Sequence, residues 1–242
     1  MTNRSPQYKM LVGGPYACFT RPEMKAERVS YEIPTPSALE GILKNIYWKP
    51  AFRYVIDKIV VFNPIKTICI KRNELKNKIL MTKVRSNMNG KNNDLHVYTE
   101  KETERAQRTT TALKDVLYGI EFHLEMTGFM AFKEKECIQK HMQILETRID
   151  CGRSFRDPYF GCSEFAADYW ELVKEFPLQN ISKTLMGPGT MLYSMKFPIE
   201  KPYEDTHEAW ENQVWDDRAK AVYYTPLMID GVINVEKWRP SV

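Results

Sequence analysis

Lys140 and His141 are adjacent in this sequence, and Tyr47 stands at the end of an apolar-periodic segment well before them. Histidine, with an ordinary pKa of roughly 6.5, acts as both acid and base near neutrality. A neighbouring lysine adds a fixed positive charge. A tyrosine hydroxyl, ordinarily a poor base with a pKa of about 10, becomes a better one beside a cation. RNA carries its own nucleophile, the 2′-hydroxyl. Cleaving its phosphodiester therefore needs a base for that hydroxyl, an acid for the 5′-oxygen leaving group and a cation for the crowded phosphate. A histidine, a lysine and a tyrosine suffice for this without a metal. Spacing alone also permits a plainer reading. On an ideal helix Lys140 points away from the apolar stripe and His141 lies near its edge, a solvated lysine beside a boundary histidine. Trp48 reads as a core side chain. Tyr47 is able either to plug the core or to bring its hydroxyl to a polar site, and aromatics at a helix end can stack on unpaired bases, a contact worth roughly 1–3 kcal/mol.

The charge distribution bears on what such a site would act upon. The net charge is +4, yet residues 157–242 hold 8 Lys/Arg against 14 Asp/Glu, a net of −6, which leaves +10 on residues 1–156. A basic N-terminal part beside an acidic C-terminal part suggests a polyanion-binding face on the former, or simply an unevenly charged solvated surface. Hydrophobic residues make up 43% of the 242-residue chain, enough to build a packed core, so disorder throughout is excluded. Five scattered cysteines without a CxxC argue against a disulfide framework or a zinc ribbon. No HExxH or HxxxH occurs, and no metal site or cofactor is indicated. No apolar run approaches the roughly 20 residues needed to span a bilayer. The opening residues do not read as a signal peptide, so a cytoplasmic location is expected.

The elements that must position these side chains can be read in outline. Gln7 to Phe19 reads as a strand interrupted by Gly13-Gly14-Pro15. Thr35 is a natural N-cap and Pro36 fits the first helical position; Leu39, Ile42, Leu43 and Ile46 then form one buried face, and Lys49-Pro50 ends the helix. Residues 51–62 read as a strand, followed by a second strand-like stretch at Ile65 to Ile70. Residues 73–108 read as a mobile basic insertion; from Asn63 to Arg108 there are 11 Lys/Arg and 5 Asp/Glu. From Val116 to Met126 apolar and polar residues alternate, a half-buried strand that places His123 on the polar, open face as a surface histidine. Ile138, Met142, Leu145 and Ile149 mark a second helix, with Gly152 as its C-cap. A closing strand is expected near Tyr159 to Phe165. Beyond it, prolines punctuate short strands, among them Met191 to Phe197, Ala221 to Tyr224 and Val232 to Val235, with a turn at Asp230-Gly231. The expected class is α+β. Residues 1–165 form a ferredoxin-like (RRM-like) βαββαβ domain with a basic insertion, and residues 166–242 a small antiparallel β-sheet domain.

Several runs resemble one family. Tyr16-Ala17-Cys18-Phe19-Thr20-Arg21-Pro22-Glu23-Met24-Lys25 looks like the start of the fifth family of CRISPR-associated proteins, in its Dvulg or type I-C subtype. Pro34-Thr35-Pro36-Ser37-Ala38, Ile46-Tyr47-Trp48-Lys49-Pro50, Lys140-His141, Gly152-Arg153-Ser154-Phe155-Arg156 and Gly161-Cys162-Ser163-Glu164-Phe165 continue the match in order. The resemblance spans about residues 7 to 166 and, more loosely, the remainder. It implies an endoribonuclease that cuts precursor CRISPR RNA within the repeat without a metal. Such a protein remains on the 5′ handle as a subunit of the type I-C surveillance complex, beside that complex's backbone and large subunits. The family's catalytic tyrosine, lysine and histidine match Tyr47, Lys140 and His141. Family members commonly have glycine before the Lys-His pair; Gln139 here departs from that and resists the turn a glycine allows. RNA contacts are expected from Arg21, Lys25, Arg28, Trp48, Lys49, Arg153 and Arg156. The alternatives are a non-catalytic subunit that binds the handle, and an assembly protein docking through its acidic C-terminal part.

Overall fold

A computed structural model of the chain describes residues 4–24, 26–75, 80–91, 105–126, 137–177, 187, 189–196 and 220–239. Thr35 caps the first helix, α1 (Pro36–Ile46), by accepting a hydrogen bond from the Ala38 N–H, with Pro36 in the first turn where its missing donor costs nothing. The helix stops one residue before Tyr47, whose backbone is extended (φ −155°, ψ 131°), and buries Leu39, Ile42, Leu43 and Ile46. This face packs chiefly on β2 (Phe52–Val61), and β1 (Tyr8–Ala17) and the long β4 (Arg105–Met126) contribute side chains to the same core. β1 and β2 both pair antiparallel with β4. A further helix, α3 (Ile138–Asp150), packs against α1 and β4 on the same side. β5 (Tyr169–Leu172) pairs with β1, and β9 (Val232–Asn234) joins β2 and forms a hairpin with β8 (Met228–Ile229). The resulting path is β5-β1-β4-β2-β9-β8. β6 (Met191–Lys196) and β7 (Lys220–Tyr224) form a separate two-stranded sheet, and α4 (Val235–Trp238) closes the described chain. The core is continuous, with Met10, Val12, Ile56, Ile59, Ile120 and Phe122 of the sheet meeting the apolar stripes of α1 and α3. Among the described residues no helix is long and apolar enough to cross a membrane.

Four sequence expectations are revised. β1 runs unbroken through Gly13 and Gly14 because these glycines serve close packing: a Cβ on Gly13 would lie 2.7 Å from Cε1 of Tyr169, and one on Gly14 3.0 Å from Cε2 of Phe160. The segment expected to be a mobile loop is largely ordered where described. β3 (Thr67–Leu75) pairs over its whole length with the first half of β4, and Met81–Met88 form α2. The start of β3 falls in the strand-like stretch expected at Ile65 to Ile70; its polar continuation to Leu75 was not expected, because every second side chain there faces solvent.

The expected strand at Tyr159 to Phe165 is instead a tight turn with an isolated Tyr159–Ala166 bridge, reversed at Gly161 (φ +80°); the closing strand lies later, at Tyr169–Leu172. Finally, His123 is not a surface residue but 1% exposed. Its Nδ1 lies 2.7 Å from Asp57 and its Nε2 3.1 Å from Glu125, and Arg4 of the N-terminal segment, which bridges to Glu125, helps cover that face. Alternation correctly placed His123 opposite the core, but the opposite face is also covered. The Asp230-Gly231 turn does join β8 to β9, with both residues at positive φ (49° and 74°).

Candidate active site

The extended backbone at Tyr47 turns its side chain under the end of α1 and towards α3. On α3 the buried positions are Ile138, His141, Leu145 and Ile149, so His141 occupies the place in the stripe that the sequence pattern assigned to Met142. The two elements meet through these residues. The Tyr47 hydroxyl and His141 Nδ1 share a 2.9 Å hydrogen bond, with the residues 4% and 1% exposed. Phe52 packs against both rings, 5.5 Å from that of Tyr47 and 4.8 Å from that of His141 between centroids. Tyr54 donates its hydroxyl proton to the Tyr47 carbonyl at 2.6 Å, which fixes the backbone on which the Tyr47 side chain hangs. Burial pushes the Tyr54 hydroxyl far above its ordinary pKa, so Tyr54 is a structural donor and not a base.

Arg148 was not anticipated. It lies seven residues after His141, two helical turns along α3, which places it on the same side of the helix, but nothing in that spacing pointed to Tyr47. Its guanidinium sits 5.1 Å from the centroid of the Tyr47 ring and donates to the Ile46 carbonyl at 2.8 Å. A cation at the carbonyl end of α1 complements the helix dipole. Lys140, one residue before His141, is exposed. Gln139 lies in the first turn of α3 and does not have a positive φ, so the glycine expected there is not needed for this backbone.

The loop after α3 completes the surroundings. Gly152 (φ +62°) ends the helix as expected, its N–H bonded to Ile149 O and that of Arg153 to Arg148 O. The chain then reaches α1, where the N–H groups of Phe155 and Arg156 both donate to Asn45 O, at 2.9 and 3.0 Å. The same loop thus ties together the C-terminal ends of both helices.

Of the expected RNA contacts, Trp48 and Lys49 follow Tyr47 directly; Trp48 is 47% exposed and is not the core residue its hydrophobicity suggested. The extended backbone after α1 swings alternate side chains in and out, so Tyr47 goes in and Trp48 goes out. Arg153 is exposed, and the Arg156 guanidinium rests 5.3 Å from the Tyr159 ring. Arg21 and Arg28 are held elsewhere. Arg21 covers the Tyr31 ring at 4.9 Å, while Arg28 pairs with Glu164 at 3.6 Å and donates to Cys162 Sγ at 3.4 Å. The hydrogen bond with Cys18, and then Arg28, hold the Cys162 thiol below its ordinary value against the opposing effect of burial. Lys25 lies outside the described residues.

Comparison with known proteins gives a consistent result. Residues 8–236 match the family model described as CRISPR-associated protein (Cas_Cas5). A relative from Mannheimia succiniciproducens, named CRISPR pre-crRNA endoribonuclease Cas5d, is 42% identical over 202 residues, covering 81% of this chain and 87% of its own. A relative of the same name from Thermus thermophilus is 36% identical over 194 residues, covering 80% and 75%. A crystal structure described as a CRISPR-associated protein superposes with a TM-score of 0.65 at 24% identity, over 97% of this chain and 93% of that one. SMU1763c from Streptococcus mutans, described as functionally uncharacterized, superposes with a TM-score of 0.63 at 23% identity, over 95% and 92%. At those identities the two structures speak to the fold, a mixed α/β chain built on an antiparallel sheet.

Proposed function

The chain belongs to the Cas5 family of CRISPR-associated proteins, in its type I-C branch, and from that membership we propose that it is an endoribonuclease that cuts precursor CRISPR RNA within the repeat. The observation that carries the chemistry is the 2.9 Å hydrogen bond between Tyr47 and His141, with Lys140 next along the helix. In this reading Tyr47 or His141 takes the proton of the 2′-hydroxyl, whose oxygen attacks the adjacent phosphorus. The P–O5′ bond breaks, and the 5′-oxygen leaves with a proton from the general acid. The products are a 2′,3′-cyclic phosphate and a 5′-hydroxyl. Lys140 stabilises the charge that builds on the phosphate oxygens. No step calls on a metal, and metal independence is part of the proposal. Because Tyr47 and His141 are almost fully buried, the RNA must displace the side chains that cover them before the phosphate reaches the pair.

That burial also favours a second reading, a non-catalytic subunit that holds the 5′ handle without cutting. In either case we place the chain in the cytoplasm, with repeat RNA and the backbone and large subunits of the type I-C surveillance complex as partners. The strand path β5-β1-β4-β2, with α1 between β1 and β2 and α3 between β4 and β5, supports a ferredoxin-like βαββαβ reading. The β3–β4 arm would then be an insertion into its central hairpin. Division into residues 1–165 and 166–242 remains a proposal as well. The separate β6–β7 sheet supports it, whereas β5, β8 and β9 extend the main sheet across that boundary.

The test is incubation of the purified chain with labelled cognate repeat RNA in EDTA, beside His141→Ala. A single cut by the wild type in chelator, with the variant binding but not cutting, is the expected result. Tight binding by both proteins with no cut from either would establish the handle-holding reading instead.

A further inference from the structure

Phe155 is 85% exposed, yet its backbone is not loosely held, since its N–H donates to Asn45 O at 2.9 Å. The ring is therefore presented to solvent from a fixed point. It borders an open groove of about 870 Å³, whose wall includes Arg148, Arg153, Gln143 and Thr147 and, among the described residues, no carboxylate. That volume lies within the roughly 300–1,000 Å³ typical of small-ligand sites. Arg148 connects this groove to the candidate active site, because the same guanidinium lies over the Tyr47 ring.

From this juxtaposition we infer that Phe155 is a stacking platform for one unpaired nucleotide of the RNA, held beside the phosphate that is cut. The inference rests on the reading of the chain as an RNA-binding protein and adds a site to it. A nucleotide offers a flat apolar face and a bidentate anion, and the groove offers an aromatic face with guanidinium groups beside it. A wall without carboxylates suits a phosphate and does not select for the basic side chains of a protein partner. Arg153 meets the phosphate, Phe155 the base, and Gln143 and Thr147 supply donors and acceptors to its edge. Stacking tolerates any base, so the platform positions the strand without reading its sequence.

The experiment compares a labelled repeat hairpin carrying its unpaired flanks with the same hairpin trimmed of them. Phe155→Ala is expected to weaken binding of the flanked RNA by roughly 5- to 150-fold and to leave the trimmed hairpin unaffected. Phe155→Trp keeps an aromatic face and should hold the flanked RNA as the wild type does. A thermal melt of each variant checks the fold. If wild type and Phe155→Ala bind the flanked RNA equally, the platform is wrong while the RNA-cleaving reading stands. If the wild type binds neither RNA, that reading falls and the platform with it.

Discussion

The Tyr47 hydroxyl lies 2.9 Å from His141 Nδ1, although 94 residues separate the two in sequence. One group comes from the extended residue that ends α1 and the other from the buried face of α3. A tyrosine and a histidine so placed can pass a proton between them, which is the chemistry the proposed function asks of the pair.

Tyr47→Phe removes that hydroxyl and little else. Single-turnover cleavage of repeat RNA in chelator should slow by about 100- to 10,000-fold, the usual contribution of one positioned acid or base. RNA affinity, measured by filter binding, should stay close to wild type. Stability should fall by only about 0.5–1.5 kcal/mol for the lost hydrogen bond. An unimpaired cleavage rate would remove Tyr47 from the mechanism.

The buried Asp57–His123 pair predicts an acid-sensitive fold. Burial raises the Asp57 carboxyl, but hydrogen bonds from His123 and Gln7, with the charges of His123 and Arg239, outweigh it and hold the group below its ordinary value. A carboxylate with a depressed pKa contributes stability above its unfolded pKa, about 3.9, and loses that contribution as pH falls through the lower folded value. Asp57→Asn should therefore cost about 3 kcal/mol near neutrality, the low end for breaking a buried pair because asparagine still accepts a hydrogen bond. Urea unfolding at a series of pH values should show the gap between wild type and variant narrowing below about pH 4. A gap constant with pH would show that the charge of Asp57 is unimportant.

Gly161 sits at φ +80°, and a Cβ there would lie 2.1 Å from the carbonyl oxygen of Cys18. Both the left-handed backbone and the contact with β1's continuation exclude a side chain. Gly161→Ala should lower stability by at least about 2 kcal/mol, read as a drop in the chemical-denaturation midpoint. A midpoint equal to wild type would mean that the turn at Gly161 rearranges freely.

The basic arm, the helix ends and the chemistry-bearing residues were legible to different degrees. Thr35, Pro36, Gly152 and the Asp230-Gly231 turn were readable because caps and tight turns are governed by a residue and its immediate neighbours. Family resemblance, carried by runs such as Ile46-Tyr47-Trp48-Lys49-Pro50, pointed to Tyr47, Lys140 and His141. Other features depended on neighbours distant in the chain. The polar second face of β4 was visible, but not that Asp57 and Glu125 would cover His123 there. The stripe on α3 was visible, but not that His141 would be the more deeply buried residue, with Met142 only partly buried against the core. Nor did any local pattern show Arg148 over Tyr47 or the loop holding Phe155 outward from Asn45. By itself the sequence determined the start and stop of α1 and the end of α3, and which residues are candidates for the chemistry. Only the tertiary structure decided which of them meet, because contact across 94 residues depends on how α1 and α3 pack on a shared sheet, and no local propensity encodes that packing.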